Sequence, residues 1–144
     1  MRMNTAQKII KVGYWLETLV DMSSYAINHK AKNRELAVHR LLSILRIENE
    51  IKKCSSFIEK NYKKCRKNKD VAKMFYGDAI CCYKWSIHRK AKELALKEVK
   101  KYYQEIETIN DFIARFGHWI YNADFTHLEL KVRDGCFSWQ DIEK

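Results

Sequence analysis

Apolar residues recur along this chain at intervals of three and four, the spacing that gathers side chains on one face of an α-helix. The first stripe is Ile9, Val12, Leu16 and Leu19, continued by Ser23 and Ala26. Asn4 stands where an N-cap belongs, and Gln7 follows three residues on, as a capping box requires. The pattern predicts a helix from Asn4 to about Asn28. Asn33 is placed to cap a second helix, whose stripe is Ala37, Leu41, Ile44, Ile47, Ile51, Cys54, Ile58, Tyr62 and Cys65. The rhythm then stops in KKCRKNKD, residues 63–70, where Asp70 offers the next cap. A helical pattern resumes at Val71, and Gly77 is a candidate kink or split, since a helical glycine costs about 1 kcal/mol relative to alanine.

Farther on, Val99, Tyr102, Ile106, Ile109, Ile113, Phe116 and Ile120 keep a strict three-four alternation. It predicts one long helix through residue 120 with a coiled-coil-like seam. Thr108 and Asp111 compete as a capping box that would restart the helix, but no glycine or proline precedes Gly117, which favours continuity. Near the end the period becomes two. Leu128, Leu130 and Val132 share one face, Asp134-Gly135 is a two-residue turn, and Phe137 and Trp139 suit a returning strand. The expected fold is mainly α: a long-helix bundle of three to five helices, partly coiled-coil-like, with a small C-terminal β-hairpin at about 126–139 packed on it. No linker composition divides the chain, so residues 1–144 are expected to form a single domain. The absence of proline and the presence of only four glycines agree with long uninterrupted helices.

The N-terminal stretch is interrupted by Lys11, Glu17 and Asp21 and does not read as a signal peptide, and no apolar run is long enough to cross a bilayer. A soluble, cytoplasmic protein with no membrane partner is expected. The five cysteines, at 54, 65, 81, 82 and 136, are odd in number and read as reduced thiols, mostly small core residues.

Charge changes the picture most. The net charge is +10, and its distribution is uneven: residues 52–101 hold sixteen Lys and Arg against five Asp and Glu, the rest twelve against thirteen. On a continuous helix Lys53, Lys60, Lys64 and Lys67 share a face, as do Lys90, Lys97 and Lys101. If the second and third helices are antiparallel neighbours, one broad basic surface results. Solubility alone needs no such clustering, whereas a polyanion attracts it. The candidate nucleic-acid-binding residues are Lys60, Lys63, Lys64, Arg66, Lys67 and Lys69, with Arg89 and Lys90 in support. Of the interleaved aromatics Tyr62, Phe75, Tyr76, Tyr83, Trp85, Tyr102 and Tyr103, at most two are expected to be exposed for stacking on bases.

Signatures of catalysis are sparse. Four scattered glycines make no phosphate-cradling loop, and Cys81, Cys82 and His88 lack the spacing and the fourth partner of a zinc site, so no cofactor or metal is expected. The stretch RELAVH, with Arg34 and His39, resembles the R-x4-6-H spacing of the HEPN-family ribonucleases, which are helical bundles. That resemblance implies Arg34 and His39 acting on RNA, commonly across a dimer. The leading expectation is nonetheless a non-enzymatic helical module contacting the phosphate backbone of nucleic acid through residues 52–101. The alternative is a small adaptor or inhibitor that docks on an acidic protein or forms a homodimer through the 99–120 helix and the hairpin. A HEPN-like ribonuclease ranks third.

Overall fold

The computed structural model of the chain describes residues 3–28, 30–79, 82–123 and 137–143. α1 (Thr5–Ile27) begins at the expected cap: the Gln7 N–H donates to Asn4 Oδ1 at 2.8 Å and the Asn4 N–H to Gln7 Oε1 at 2.9 Å. Its stripe from Ile9 to Ala26 is buried throughout. α2 (Arg34–Tyr62) is capped by Asn33, whose Oδ1 accepts from the Leu36 N–H at 2.9 Å. At 1.5 Å per residue α2 is a rod of roughly 43 Å. α1, α3, α4 and the 3-10 helix all pack on it.

α3 (Lys69–Ala79) starts one residue ahead of Asp70 and runs through Gly77 unbroken, and α4 (Cys82–Tyr102) follows it. The axial order of α4 against α2 follows from three contacts: Lys92 with Glu48 at 2.7 Å, Glu98 with Arg40 at 3.9 Å, and Tyr103 beneath Arg34 at 5.8 Å. Residue numbers rise on one helix as they fall on the other, so α2 and α4 are antiparallel neighbours. Glu98 also accepts from the backbone N–H of Ala31 at 2.8 Å, tying the α1–α2 connection to α4.

The continuous helix expected through residue 120 is broken. α4 ends at Tyr102, α5 spans Ile109–Phe116, and a 3-10 helix covers Gly117–Asn122. The capping box at Thr108 decides this. Asp111 Oδ2 accepts from the N–H groups of Thr108 at 3.0 Å and Glu107 at 3.1 Å, while Thr108 Oγ1 accepts from the Asp111 N–H at 3.1 Å. Those three bonds satisfy donors that a new helix start leaves orphaned, and the β-branched Ile106, Thr108 and Ile109 weaken the case for continuing the old one. The regular alternation survives the break only in part: Val99, Ile106, Phe116 and Ile120 are buried, whereas Tyr102 and Ile113 face solvent.

The C-terminal hairpin is also overturned. Among the described residues there are six α-helices and no strand, rather than three to five helices with a hairpin. Positions 126–136 of that expectation lie outside the described residues. Trp139, assigned to the returning strand, opens a short helix, α6 (Trp139–Glu143). Its indole N–H donates to Glu50 Oε2 at 3.0 Å, and the Trp15 indole donates to the same oxygen at 3.2 Å. Phe137 stacks on Trp15 with ring centroids 5.5 Å apart and 8° between planes. The alternation of Phe137 and Trp139 therefore reflects two anchors on α1 and α2, not a pleat.

Two features lock the bundle. Gly13 of α1 meets Phe75 of α3 so closely that a Cβ built there would lie 2.1 Å from the ring. In the core, Ser23 Oγ and His88 Nδ1 are 3.0 Å apart, and His88 Nε2 faces Glu48 Oε1 at 3.6 Å, a separation at which attraction is one of charge and dipole rather than a hydrogen bond. The His88 ring and the Lys92 ammonium hold the Glu48 carboxyl down to about 2, from an ordinary 4.5, against the opposing effect of burial.

Gly13→Ala is expected to destabilise the fold by about 1–3 kcal/mol despite its gain in helix propensity, because the Phe75 ring must shift. Gly77→Ala, where nothing lies within 4 Å of the new methyl, is expected to stabilise by up to about 1 kcal/mol. Urea denaturation of the two variants measures both signs. Glu48 titrates lower when folded than when unfolded, so its stabilisation is complete above about pH 4.5 and is lost as pH falls toward 2. Glu48→Gln is therefore expected to be less stable than wild type at pH 7 by up to about 3 kcal/mol, with the gap closing over that acid window.

Candidate nucleic-acid interface

The basic stretch is the joint between α2 and α3. α2 ends at Tyr62, the chain turns through residues 63–68, and α3 begins at Lys69. Cys65 turns inward, is buried, and donates its thiol to the Lys67 carbonyl at 3.1 Å. Asn68 takes a left-handed conformation, φ 56°, which short polar Asn tolerates better than most residues. With one buried sulfur and one left-handed residue setting the turn, the lysines and arginine between them have nowhere to point but outward. Lys60, Lys63, Lys64, Arg66, Lys67 and Lys69 are all exposed. Among the described residues no carboxylate lies within 4 Å of any of the six.

Two clefts open on this end of the bundle. One, of about 480 Å³, is lined by Ser56, Glu59, Lys60, Lys63 and Lys64. The other, of about 260 Å³, runs from Lys64, Cys65, Arg66 and Lys67 to Asn4, Thr5 and Ala6 at the start of α1. Lys64 borders both. Beside them the Tyr62 and Tyr76 rings stack at 4.4 Å and 16°, with the Lys69 ammonium 5.1 Å from the Tyr62 centroid.

The helix ends before Lys64 and Lys67, so the face they were expected to share with Lys60 is the surface of a turn. Lys53, on the same expected stripe, is engaged elsewhere, 4.4 Å from the Trp139 ring and 3.8 Å from Glu143. Arg89 and Lys90 are exposed on α4 but lie near the level of Glu48, whose partner is Lys92. Lys60 is twelve residues farther along α2, roughly 18 Å away along its axis. Two basic regions therefore stand at different heights of the bundle. Of the interleaved aromatics, Phe75 is buried, Tyr62, Tyr76, Trp85 and Tyr103 are half-buried, Tyr102 is 45% exposed, and the side chain of Tyr83 lies outside the described residues.

Arg34 and His39 occupy the other end of α2, both exposed. Five residues apart on a helix they point about 140° apart around its axis, so within one chain they do not converge on a common point. Arg34 stands over the Tyr103 ring, and His39 lines a cavity of about 410 Å³ between α2, α5 and the 3-10 helix. Glu35, Trp119 and Asn122 line that cavity too, and nothing in the spacing of the sequence connects them. The buried Ser23, His88 and Glu48 have the order of a nucleophile, base and acid, but Ser23 and His88 are wholly shut off from solvent and serve the core. Burial pushes the Cys54 thiol well up, which makes it inert as a nucleophile. No helix among the described residues is long and apolar enough to cross a membrane.

No protein-family model, no curated protein and no solved structure matches the chain. The functional reading rests on the geometry of its own residues.

The shape of the joint depends on Asn68. Asn68→Val places a β-branched residue at positive φ and is expected to cost about 1–2 kcal/mol. Asn68→Gly is expected to stay within about 0.5 kcal/mol of wild type. Denaturation midpoints of the two variants distinguish a strained turn from an indifferent one.

Proposed function

We propose that the chain is a non-enzymatic helical module that binds nucleic acid through phosphate contacts at the α2–α3 joint. One observation carries this reading: six cations and no acid occupy residues 60–69, all exposed and none within reach of a described carboxylate. Neighbouring cations on a turn this tight lie within the Debye length of about 8–10 Å, so their fields add instead of being screened apart. That mutual repulsion opposes folding and is relieved by a polyanion, whose condensed counterions are released on binding. Contacts of this kind hold the backbone and carry no sequence preference of their own.

A second reading is favoured by a different surface. Tyr102, Ile113, Trp119 and Tyr121 are exposed around the α4–α5 end, Tyr121 by 83%. Exposed apolar groups gathered in one region mark protein contacts. An adaptor docking on an acidic protein, or a homodimer, would use that surface, which keeps Tyr102 and Ile113 of the expected 99–120 stripe and dispenses with the hairpin.

Fluorescence anisotropy with labelled single- and double-stranded DNA and RNA, titrated in salt, separates the readings. Phosphate binding at the joint is expected to give a log K against log salt slope of about −4 on single strands and about −5.5 on duplex DNA for six contacts, and Lys63→Gln, Lys64→Gln and Lys67→Gln together should shallow it by about 2–3. Absence of binding at low salt would remove the nucleic-acid reading, and a dimer in sedimentation that Tyr121→Ser dissociates would favour the second.

A further inference from the structure

The cavity at the opposite end of α2 has the make-up of a ligand site, and it is independent of the basic joint: His39 and Lys60 are twenty-one residues apart on one helix, roughly 31 Å along its axis. Its volume, about 410 Å³, lies in the range of small-molecule sites. Val38 and Leu42 of α2 and Phe116 of α5 are buried and form its apolar floor. Trp119 forms a wall; the His118 ring at 4.1 Å and the Phe116 ring at 5.9 Å already lie against it, and the 48% of the residue that stays exposed is what a stacking partner can use. The Tyr103 ring is less available, since Arg34 at 5.8 Å and Arg115 at 4.7 Å already stand over it. Three polar side chains complete the lining, the Glu35 carboxylate, the His39 imidazole and the Asn122 amide, and the Arg34 guanidinium lies at its border.

An indole wall offers a face on which any flat base stacks, so it fixes the ring without choosing among bases. A carboxylate accepts hydrogen bonds and donates none, so it selects a ring edge carrying adjacent N–H donors. Among the nucleobases guanine alone offers such an edge, its N1–H beside the N2 amine. Adenine and cytosine set one amine beside a ring acceptor that a carboxylate repels, and uracil flanks a single N–H with two carbonyls. The Arg34 guanidinium suits a phosphate. We propose that this cavity binds guanine nucleotides: the base stacks on Trp119, Glu35 accepts from N1–H and N2–H, and Arg34 meets the 5′ phosphate. The same chemistry is presented by free GMP and by a strand that begins with guanosine 5′-phosphate.

Calorimetric titration of the full chain with GMP, AMP, CMP, UMP and guanosine tests this. GMP is expected to bind saturably and at least tenfold more tightly than the other three nucleotides. Glu35→Gln should bring GMP to within about twofold of AMP. Trp119→Ala should weaken GMP roughly 5- to 150-fold, the range for loss of one base–aromatic stack. Arg34→Gln should weaken GMP while leaving guanosine unchanged. These side chains are exposed, and coincident thermal melts verify that the variants fold. The triple lysine variant of the joint should bind GMP as wild type does. The proposal is overturned if GMP fails to saturate at millimolar concentration, if Glu35→Gln keeps the preference for guanine, or if GMP binding is lost with the joint lysines and retained without Trp119. Competition between GMP and a short single strand with a 5′ guanosine phosphate assigns the site to strand ends; lack of competition, with GMP still bound, assigns it to the free nucleotide.

Discussion

The buried chain from Ser23 through His88 to Glu48 and Lys92 ties three helices together at a single level. A carboxylate inside a bundle costs several kcal/mol unless it is paired, so Glu48 has one acceptable position against α4, the one that brings Lys92 to 2.7 Å and the His88 ring to face it. Apolar contacts alone would tolerate sliding by a turn of helix; this charge does not. Ser23 extends the constraint to α1, since its hydroxyl reaches both His88 at 3.0 Å and its own helix at the Leu19 carbonyl, 3.2 Å away. The register so set carries up the bundle to Arg40 and Glu98, and then to Arg34 and Tyr103 at its end.

From that register both candidate surfaces follow. Toward the N-terminal end of α2, the end of α4 delivers Tyr103, and the 3-10 helix, with α5 packed on it, folds back on α2, where Arg46 donates to the Ala123 carbonyl. The cavity lined by Glu35, His39 and Trp119 is the space left by that fold-back. At the opposite end α3 is drawn against α1 by the contact of Phe75 with Gly13, and the short path from Tyr62 to Lys69 is forced into a turn. The crowding of cations there is a consequence of the chain reversing within six residues whose inward positions are taken by Cys65 alone. The two ends of α2 thus differ in chemistry, one predominantly cationic and the other aromatic with a carboxylate and a guanidinium.

The C-terminal segment adds a third tie. Glu50 receives the indole N–H groups of Trp15 and Trp139, and Phe137 and Trp139 meet edge to face, 4.9 Å apart. A five-residue helix has almost no stability of its own. α6 holds its place through this aromatic cluster and through Lys53, which meets both the Trp139 ring and Glu143.

The sequence by itself determined α1 and α2, with their Asn4 and Asn33 caps and their buried stripes, because helical periodicity and capping are local and every link from Ile9 to Ala26, and again from Ala37 to Ile58, is three or four residues long. It also placed the cationic joint, since charge density is additive along the chain. Tertiary structure decided what happens where local signals compete. From Val99 to Ile120 an uninterrupted stripe argued for one helix and a capping box at Thr108 for two; three hydrogen bonds to Asp111 and Thr108 settled it in favour of the break. Phe137 and Trp139 showed a strand-like alternation that nothing nearby contradicted, and only Trp15 and Glu50, far away in sequence, explain them. The Ser23–His88–Glu48 chain and the meeting of Glu35 with Trp119 and Asn122 had no signature at all, for they join segments 25 to 87 positions apart, and proximity of that kind is created by packing, not by spacing.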